Sequence, residues 1–256
     1  MKCDVVIKTW FNDLCWLRYC LRFLAKNWLA NNSRTIILAD EDCREEIQSW
    51  SLTDEEVFYV QPWADGYSHA MVTKTTADEY SDAELVMLLD SDVMLTEPSY
   101  PELMMEGGRP VIRFLDYETF LKQYPHAPWR QVVQKLFLTN PLLYYTFVPA
   151  LYWRSSFQAM RRHLARLHHR NFLDLTYSDV PFYPENFGSH PISFADHESL
   201  GFYCQLAEPN HYVFKPYSEH YSEQLPSWGK QYHSWTQWNE ETEAELEKLL
   251  SLDKVS

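Results

Sequence analysis

Several features that mark particular classes of protein are missing from this 256-residue chain. The formal net charge is −14, so the surface as a whole does not attract nucleic acid or an anionic membrane, and only a local basic patch could do so. No stretch approaches the roughly 18 consecutive apolar residues of a membrane-spanning helix, so no membrane span is expected. Repeats, low-complexity tracts and linker-like segments are also missing, which favours a single domain.

Cysteine usage and the opening residues predict the compartment. The chain has five cysteines, an odd number, and no CxxC pair. This usage is typical of reduced thiols rather than of a disulfide framework. The first residues, MKCDVVIKTWFND, predict a β-strand rather than a secretory signal peptide. We therefore expect a cytoplasmic protein.

Aromatic residues, by contrast, are abundant. They make up 16% of the chain, with ten Trp and 17 Tyr. Both residue types are common where sugars or bases are recognised, although ordinary packing in the core and on the surface accounts for most of them.

Short apolar runs alternate with helical patterns through the first half of the chain. The predicted strands are Cys3–Trp10, Arg34–Asp40, Val57–Val60 and Glu84–Asp90, and the predicted helices are an apolar stripe from Leu14 to Trp28 and the segment Gly66–Tyr80. This alternation predicts an α/β fold with a mostly parallel sheet covered by helices on both faces. Ligands of such sheets bind outside the carboxyl ends of the strands, which is where the polar residues Thr9, Asp40 and Asp90 fall.

Two carboxylates interrupt the last of these strands, in the stretch VMLLDSDVML. Asp90 and Asp92 can both reach one cation, and Mg²⁺ or Mn²⁺ prefers oxygen ligands and often bridges a bound phosphate. The alternative is that Asp90 caps the next turn and Asp92 is solvated. The position after the fourth strand of an alternating α/β run favours the metal site.

The same segments resemble the GT-A glycosyltransferases. LVMLLDSDVML is similar to their DxD strand, VVIKTWFNDLCWLRYCLRFL to their first strand and helix, and TIILADED to their second strand with its nucleotide-contacting acid. VPALYWRSSFQAMRRHL and ISFADHESLGFYC resemble later segments of a bacterial and phage group of GT-A-like proteins. The resemblance covers roughly residues 5 to 238 and implies a Rossmann-like GT-A sheet with an irregular, aromatic-rich acceptor half.

The resemblance also implies one domain with three parts. Residues 1–100 would form the nucleotide-binding half, residues 101–240 the acceptor half, and residues 241–256 a C-terminal helix.

Site residues carry over from the resemblance by position. Asp90 and Asp92 would hold the metal. The nucleotide of the donor would be contacted by Thr9, Asp40, Tyr67, Lys74 and Ser91. Asp40 could instead only cap the helix that follows it, and Lys74 could belong to a solvated helix face.

Two further roles need residues from the second half. GT-A enzymes often take a metal-binding histidine from near the C-terminus, and His233 is preferred here over His211 and His220. An acid in the segment ADHESLGFYC would deprotonate the acceptor hydroxyl. Glu198 is preferred, with Asp196 and His197 as alternatives. Asp196 and Glu198 could also merely favour the start of a helix through its dipole.

A basic helix is predicted from Arg154 to Phe172. Arg162, Arg166 and His169 share one of its faces, which is either solvated or contacts the phosphates of an acceptor such as DNA.

Together these features predict a metal-dependent glycosyltransferase with a nucleotide-diphosphate donor, a UDP-sugar as first guess, and Mn²⁺ or Mg²⁺ as cofactor. The acceptor would be a hydroxyl of a saccharide or of a modified base in phage DNA. The alternative is a non-catalytic GT-A-like module that binds carbohydrate or nucleotide. A nucleotidyltransferase is disfavoured because no Gly-rich phosphate loop follows the first strand.

Overall fold

In the described part of the chain, strand pairing forms a central five-stranded sheet and two smaller sheets. The computed structural model describes residues 1–53, 55–62, 66–115, 129–140, 144–146, 149–176, 194–216, 229–232 and 238–252. The strands are β1 (Cys3–Thr9), β2 (Thr35–Asp40), β3 (Glu55–Val60), β4 (Leu85–Asp90), β5 (Val93–Met94), β6 (Met105–Glu106), β7 (Arg109–Leu115), β8 (Tyr144–Thr146), β9 (Ala150–Trp153), β10 (Val213–Pro216) and β11 (Lys230–Gln231). The α-helices are α1 (Leu14–Asn27), α2 (Arg44–Gln48), α3 (Gly66–Lys74), α4 (Trp129–Phe137), α5 (Arg154–His168), α6 (Phe172–Thr176), α7 (Asp196–Ala207) and α8 (Glu240–Ser251).

The central sheet has the order β3-β2-β1-β4-β9. Its first four strands run parallel, and β9 is antiparallel to β4. The predicted α/β fold with a mostly parallel sheet is therefore confirmed. The chain builds outward from β1 to β3 and then returns to the other side of β1 with β4. This reversal opens a cleft between the carboxyl ends of β1 and β4, the position at which open α/β sheets bind ligands.

Side chains of the sheet alternate between two apolar clusters. Val6, Leu38 and Leu88 belong to the cluster that is covered by α3 to α7, whereas Ile7 and Leu89 belong to the cluster covered by α1. Both faces are buried, which explains why the strands read as continuous apolar runs. The apolar stripe predicted for α1 is confirmed, because its leucines pack into the second cluster.

Two predicted helices end earlier than expected. Helix α3 stops at Lys74 because the hydroxyls of Thr75 and Thr76 donate to the carbonyls of Val72 and Thr73, which competes with continued helix. Helix α5 stops where His169 adopts the left-handed conformation, with φ 51°. A separate short helix, α6, follows.

The described C-terminal residues return to the neighbourhood of the acidic triplet, where they complete a separate two-stranded sheet. Strand β11 pairs with β5, directly after the acidic triplet, and the Tyr232 amide donates to the Asp92 carbonyl at 3.0 Å. Gly229 allows this approach, since a Cβ there would lie 3.1 Å from Val93 Cγ1. Helix α8 then packs on α1, where the Arg22 guanidinium donates twice to the Glu247 carboxylate. Among the described residues, no helix has both the length and the apolar character needed to cross a membrane.

Candidate active site

A layer of buried charged side chains lies where the carboxyl ends of β1 and β4 meet α3 and α7. Lys8 and Asp90 are register partners on β1 and β4. Lys74 ends α3, and Asp196 begins α7. Residues far apart in the sequence therefore converge on the cleft.

Lys74 joins the first acid of the triplet to the helix that carries the predicted base. Its Nζ donates to Asp90 Oδ1 at 2.6 Å and lies 2.8 Å from Asp196 Oδ2, in ion-pair contact. Burial alone would lower the pKa of Lys74, but Asp196 and Asp90 outweigh it and raise the pKa. Burial likewise opposes ionisation of Asp90, yet Lys74 and His197 hold the pKa of that carboxyl well below its usual range. Lys74 and Asp90 are therefore both charged.

His197 adds a second basic group to the same carboxylates. Its Nε2 lies 3.5 Å from Asp90 Oδ1 and 3.6 Å from Asp196 Oδ2. Burial would lower the pKa of His197, but the two aspartates outweigh it and raise the pKa. Its Nδ1 and the buried Ser199 hydroxyl make no hydrogen bond to the described part of the chain. Buried polar atoms without partners are uncommon and mark places where a ligand can bind.

Glu198 lies one residue further along the first turn of α7. Burial, with a further contribution from the Asp196 carboxylate, raises the pKa of Glu198 to about 7. A carboxyl with a pKa near neutrality can accept a proton and release it again at physiological pH. Perturbed acids of this kind cluster at functional sites.

The rest of the acidic triplet faces α1 and the C-terminal strand. Asp92 is buried, and the Gln231 side chain donates to its Oδ1 at 3.4 Å. The Ser91 hydroxyl donates to Asp13 Oδ2 at 3.2 Å. Gln231 thus links the triplet to the end of the chain.

A separate buried pair lies at the end of β2. Lys8 Nζ contacts Asp40 Oδ1 at 2.5 Å, and His69 Nε2 lies 3.2 Å from the same oxygen. Burial opposes ionisation of Asp40, but His69 and Lys8 lower its pKa. Thr9 is buried beside this pair, and its carbonyl accepts a hydrogen bond from Lys8. The predicted nucleotide contacts of Thr9 and Asp40 remain predictions, and Asp40 Oδ1 already has two neighbours.

Four predicted residues lie elsewhere or outside the described part of the chain. His233 and His220 fall outside the described residues. Tyr67 lies in the first turn of α3, and its side chain is not among those described. The His211 carbonyl accepts from the indole of Trp153, which pairs with Leu85 and so lies at the opposite end of β4 from Asp90.

The basic face of α5 is exposed at Arg162, Arg166 and His169. Their neighbour Arg161 points inward, where it contacts Asp78 and Glu79. Helix α5 runs antiparallel to α7, because Ser156 bonds to Glu208 while the His163 ring lies 5.6 Å from that of Tyr203. The last turn of α5 therefore lies closer to the start of α7, which carries Asp196, than its first turn does.

Comparisons with known proteins agree on the fold. No protein-family model and no curated protein matches the chain. Among solved structures, the galactosyltransferase LgtC in complex with donor and acceptor sugar analogues is 12% identical, with a TM-score of 0.54 over 99% of this chain and 97% of LgtC. The chain has a GT-A-like glycosyltransferase fold.

Two further solved structures are also similar. An active-site mutant of LgtC is 14% identical, with a TM-score of 0.52 over 98% of each chain. The glycosyltransferase GlyE of Streptococcus pneumoniae TIGR4 is 11% identical, with a TM-score of 0.49 over 99% of this chain and 61% of GlyE.

The GT-A-like cleft contains oxygen donors that suit a divalent cation. Asp90 keeps 22% of its side chain exposed although its Oδ1 contacts Lys74. Carboxylates such as Asp90 and Asp92 are the ligands that Mg²⁺ and Mn²⁺ prefer. Within the described residues no group of three or more His, Cys, Asp or Glu is arranged to hold a metal. The two aspartates therefore fit part of a ligand set, and the predicted third ligand, His233, lies outside that part of the chain.

Sequence reasoning missed several residues of this GT-A-like site. Lys8, His69, Asp13 and Gln231 did not figure among the candidates, yet each contacts one that did. Lys8 had a visible signal, because a lysine inside the apolar strand VVIKTW needs a buried partner. Gln231 gave no such signal in the sequence, since its contact with Asp92 depends on the return of the chain to β5.

Proposed function

We propose that the protein is a metal-dependent glycosyltransferase that moves a sugar from a nucleotide-diphosphate donor to a hydroxyl acceptor. The observation that carries this proposal is the convergence of Asp90 and Asp196 on Lys74, beside Glu198, at the cleft of a GT-A-like sheet. The first acid of the DxD triplet and an acid of a distant helix share one buried lysine at the sheet edge where open α/β folds bind ligands, which supports a functional use of that edge.

Glu198 is the proposed general base. Its pKa of about 7 lets it remove the proton of the acceptor hydroxyl as that oxygen attacks the sugar. Asp196 helps to set this pKa through its negative charge and is held in place by Lys74. His197 could donate a hydrogen bond to a substrate hydroxyl from its Nδ1, which has no partner among the described residues.

Asp90 and Asp92 would hold Mn²⁺ or Mg²⁺, with His233 as the third protein ligand. The cation would neutralise charge that develops on the leaving diphosphate. Thr9, Asp40, Tyr67, Lys74 and Ser91 are the proposed contacts of the nucleotide, with UDP as the first candidate. Asp40, Lys74 and Ser91 are already bonded to protein groups, so they would bind a donor from a preorganised framework.

The exposed arginines of α5 support an acceptor that carries phosphate. The segment 154–170 contains five arginines, three histidines and no acidic residue in a chain of net charge −14. Arg162 and Arg166 lie in the half of α5 that is nearer the start of α7, so they could hold an acceptor whose hydroxyl reaches Glu198. A hydroxylated DNA base or a phosphorylated saccharide would fit this charge.

The test is a thermal-shift screen of nucleoside diphosphates and nucleotide sugars with and without Mn²⁺. At about 100 times the dissociation constant, a bound nucleotide should stabilise the protein by roughly 2.7 kcal/mol, and only when metal is present. Donor hydrolysis in the same samples separates an enzyme from a non-catalytic binding module. If no nucleotide shifts the transition under any metal condition, the donor site is not where we place it.

A further inference from the structure

Lys74 occupies the position between two carboxylates that would otherwise repel each other. Its Nζ is 2.6 Å from Asp90 Oδ1 and 2.8 Å from Asp196 Oδ2, and the residue is only 7% exposed. A buried ammonium in contact with two acids is a fixed charge, because removing it would leave only the more distant His197 ring, 3.5 Å from Asp90 Oδ1 and 3.6 Å from Asp196 Oδ2, to compensate both acids.

The same ammonium lies on an acid that the proposed function gives to the metal. A divalent cation that binds Asp90 would approach a carboxylate already shared with a positive charge. Two positive charges about 4 Å apart in a partly buried site repel each other enough to weaken metal affinity by several factors of ten, before the side chains relax. Lys74 must therefore oppose metal binding even as it holds the acids in place.

We propose that Lys74 is a resident counter-cation of the DxD triplet, which neutralises Asp90 and Asp196 without metal and thereby weakens their affinity for a divalent cation. This inference rests on the proposed metal use of Asp90 and Asp92. It makes Lys74 a positioning residue, since it acts through the two aspartates. It also explains how the buried acids are tolerated in the metal-free protein.

The decisive variants are Lys74→Met, which keeps the length of the side chain without the charge, and Lys74→Arg, which restores the charge. Mn²⁺ binding is titrated by the electron paramagnetic resonance signal of free Mn²⁺, with no donor present. Lys74→Met should bind Mn²⁺ about ten to a hundred times more tightly than the unchanged protein. Lys74→Arg should bind with nearly unchanged affinity. The melting temperature of Lys74→Met should fall without Mn²⁺ and recover when Mn²⁺ is added.

Lys8 provides a matched control. It is the other buried lysine of this edge, and within the described residues its side chain bonds to Asp40 and the Thr9 carbonyl rather than to the triplet. Lys8→Met should also lower the melting temperature, but its Mn²⁺ affinity should not rise and Mn²⁺ should not restore its stability.

The outcomes separate this inference from the proposed function. Equal Mn²⁺ affinity in Lys74→Met and the unchanged protein would overturn the inference while the metal site stood. If Lys74→Met binds Mn²⁺ and the unchanged protein does not, the inference is supported and metal dependence of the unchanged protein is contradicted. Absence of binding in both would overturn the two together.

A second variant covers the case in which Lys74→Met does not fold. Asp196→Asn keeps Lys74 but removes the second acid, so the charge of the lysine acts on Asp90 alone. Mn²⁺ affinity should therefore fall several-fold, opposite in sign to the effect of Lys74→Met. Unchanged or tighter Mn²⁺ binding in Asp196→Asn would contradict the inference.

Discussion

Asp4 and Asp90 lie on neighbouring strands of the same sheet, at opposite ends, and their surroundings differ in kind. Asp4 is fully buried and accepts three hydrogen bonds from Arg34 and one from the Ser81 hydroxyl. Asp90 keeps 22% of its side chain exposed and shares Lys74 with another acid. Near Asp90, the His197 Nδ1 and the Ser199 hydroxyl have no hydrogen-bond partner among the described residues.

The difference separates an acid that supports the fold from one that is available to a ligand. Full satisfaction, as at Asp4, leaves no capacity for a further partner, so that network can only stabilise. An incompletely satisfied group of charges costs stability and persists where something else binds. The carboxyl-terminal edge of the sheet is of this second kind, so substitutions there should change ligand binding and activity more than stability.

The largest effect is expected at the acidic triplet. Asp92→Asn keeps the size of the side chain but removes one anionic oxygen. Because metal-bound charge stabilisation is worth several kcal/mol, sugar transfer should fall by about a thousandfold. Initial rates against Mn²⁺ concentration measure this, with the exposed Asp82→Asn as control. Rates like those of the unchanged protein would remove the metal assignment.

A somewhat smaller loss is expected from the acid with the raised pKa. Glu198→Gln should lower kcat/KM by about a hundredfold or more, the usual contribution of a general base. In the unchanged protein, Glu198 must be deprotonated to act, so kcat/KM should rise as pH increases through about 7. A pH–rate profile with the same rising limb in Glu198→Gln would assign the base to another group.

The opposite end of the sheet should respond in stability alone. Asp4→Ala leaves the Arg34 guanidinium, the Arg34 amide and the Ser81 hydroxyl without their acceptor. We expect a loss of about 3 kcal/mol in the free energy of unfolding. Denaturant unfolding measures it, and the rate per folded molecule should not change. If Asp196→Asn costs as much stability as Asp4→Ala, the contrast between the two ends fails.

The sequence predicted the strands and helices that hold Asp4 and Asp90 better than it predicted the contacts of these two acids. Strands β1, β2 and β4 were predictable because continuous apolar runs require burial on both faces, and helix α1 because its stripe from Leu14 to Leu24 requires burial on one face. The clustering of Asp90 with the segment that begins at Asp196 followed only from the resemblance to GT-A enzymes.

The partner of Asp90 could not be predicted from local patterns. Lys74 reads as an ordinary helical lysine, and its burial depends on where α3 ends and how α7 packs on it. Gln231 likewise reaches Asp92 only because β11 returns to β5. Such contacts depend on tertiary packing, which hydrophobic periodicity and secondary-structure propensity do not predict.

The smallest effect is expected on the exposed face of α5. Changing Arg162 and Arg166 together to Glu should leave folding and donor hydrolysis unchanged, because both side chains are exposed. If the two arginines contact phosphates, transfer to a phosphate-bearing acceptor should fall by about tenfold or more at low salt. The salt dependence of acceptor binding should also become shallower, by the amount expected for the loss of roughly two phosphate contacts. The charge-matched control is Lys2→Glu with Arg18→Glu, which changes one half-buried basic residue before β1 and one exposed basic residue on α1. Equal losses in both double variants would mean that net charge alone is sensed. Unchanged transfer in both would leave the α5 face solvated, and an uncharged saccharide would then be the better acceptor.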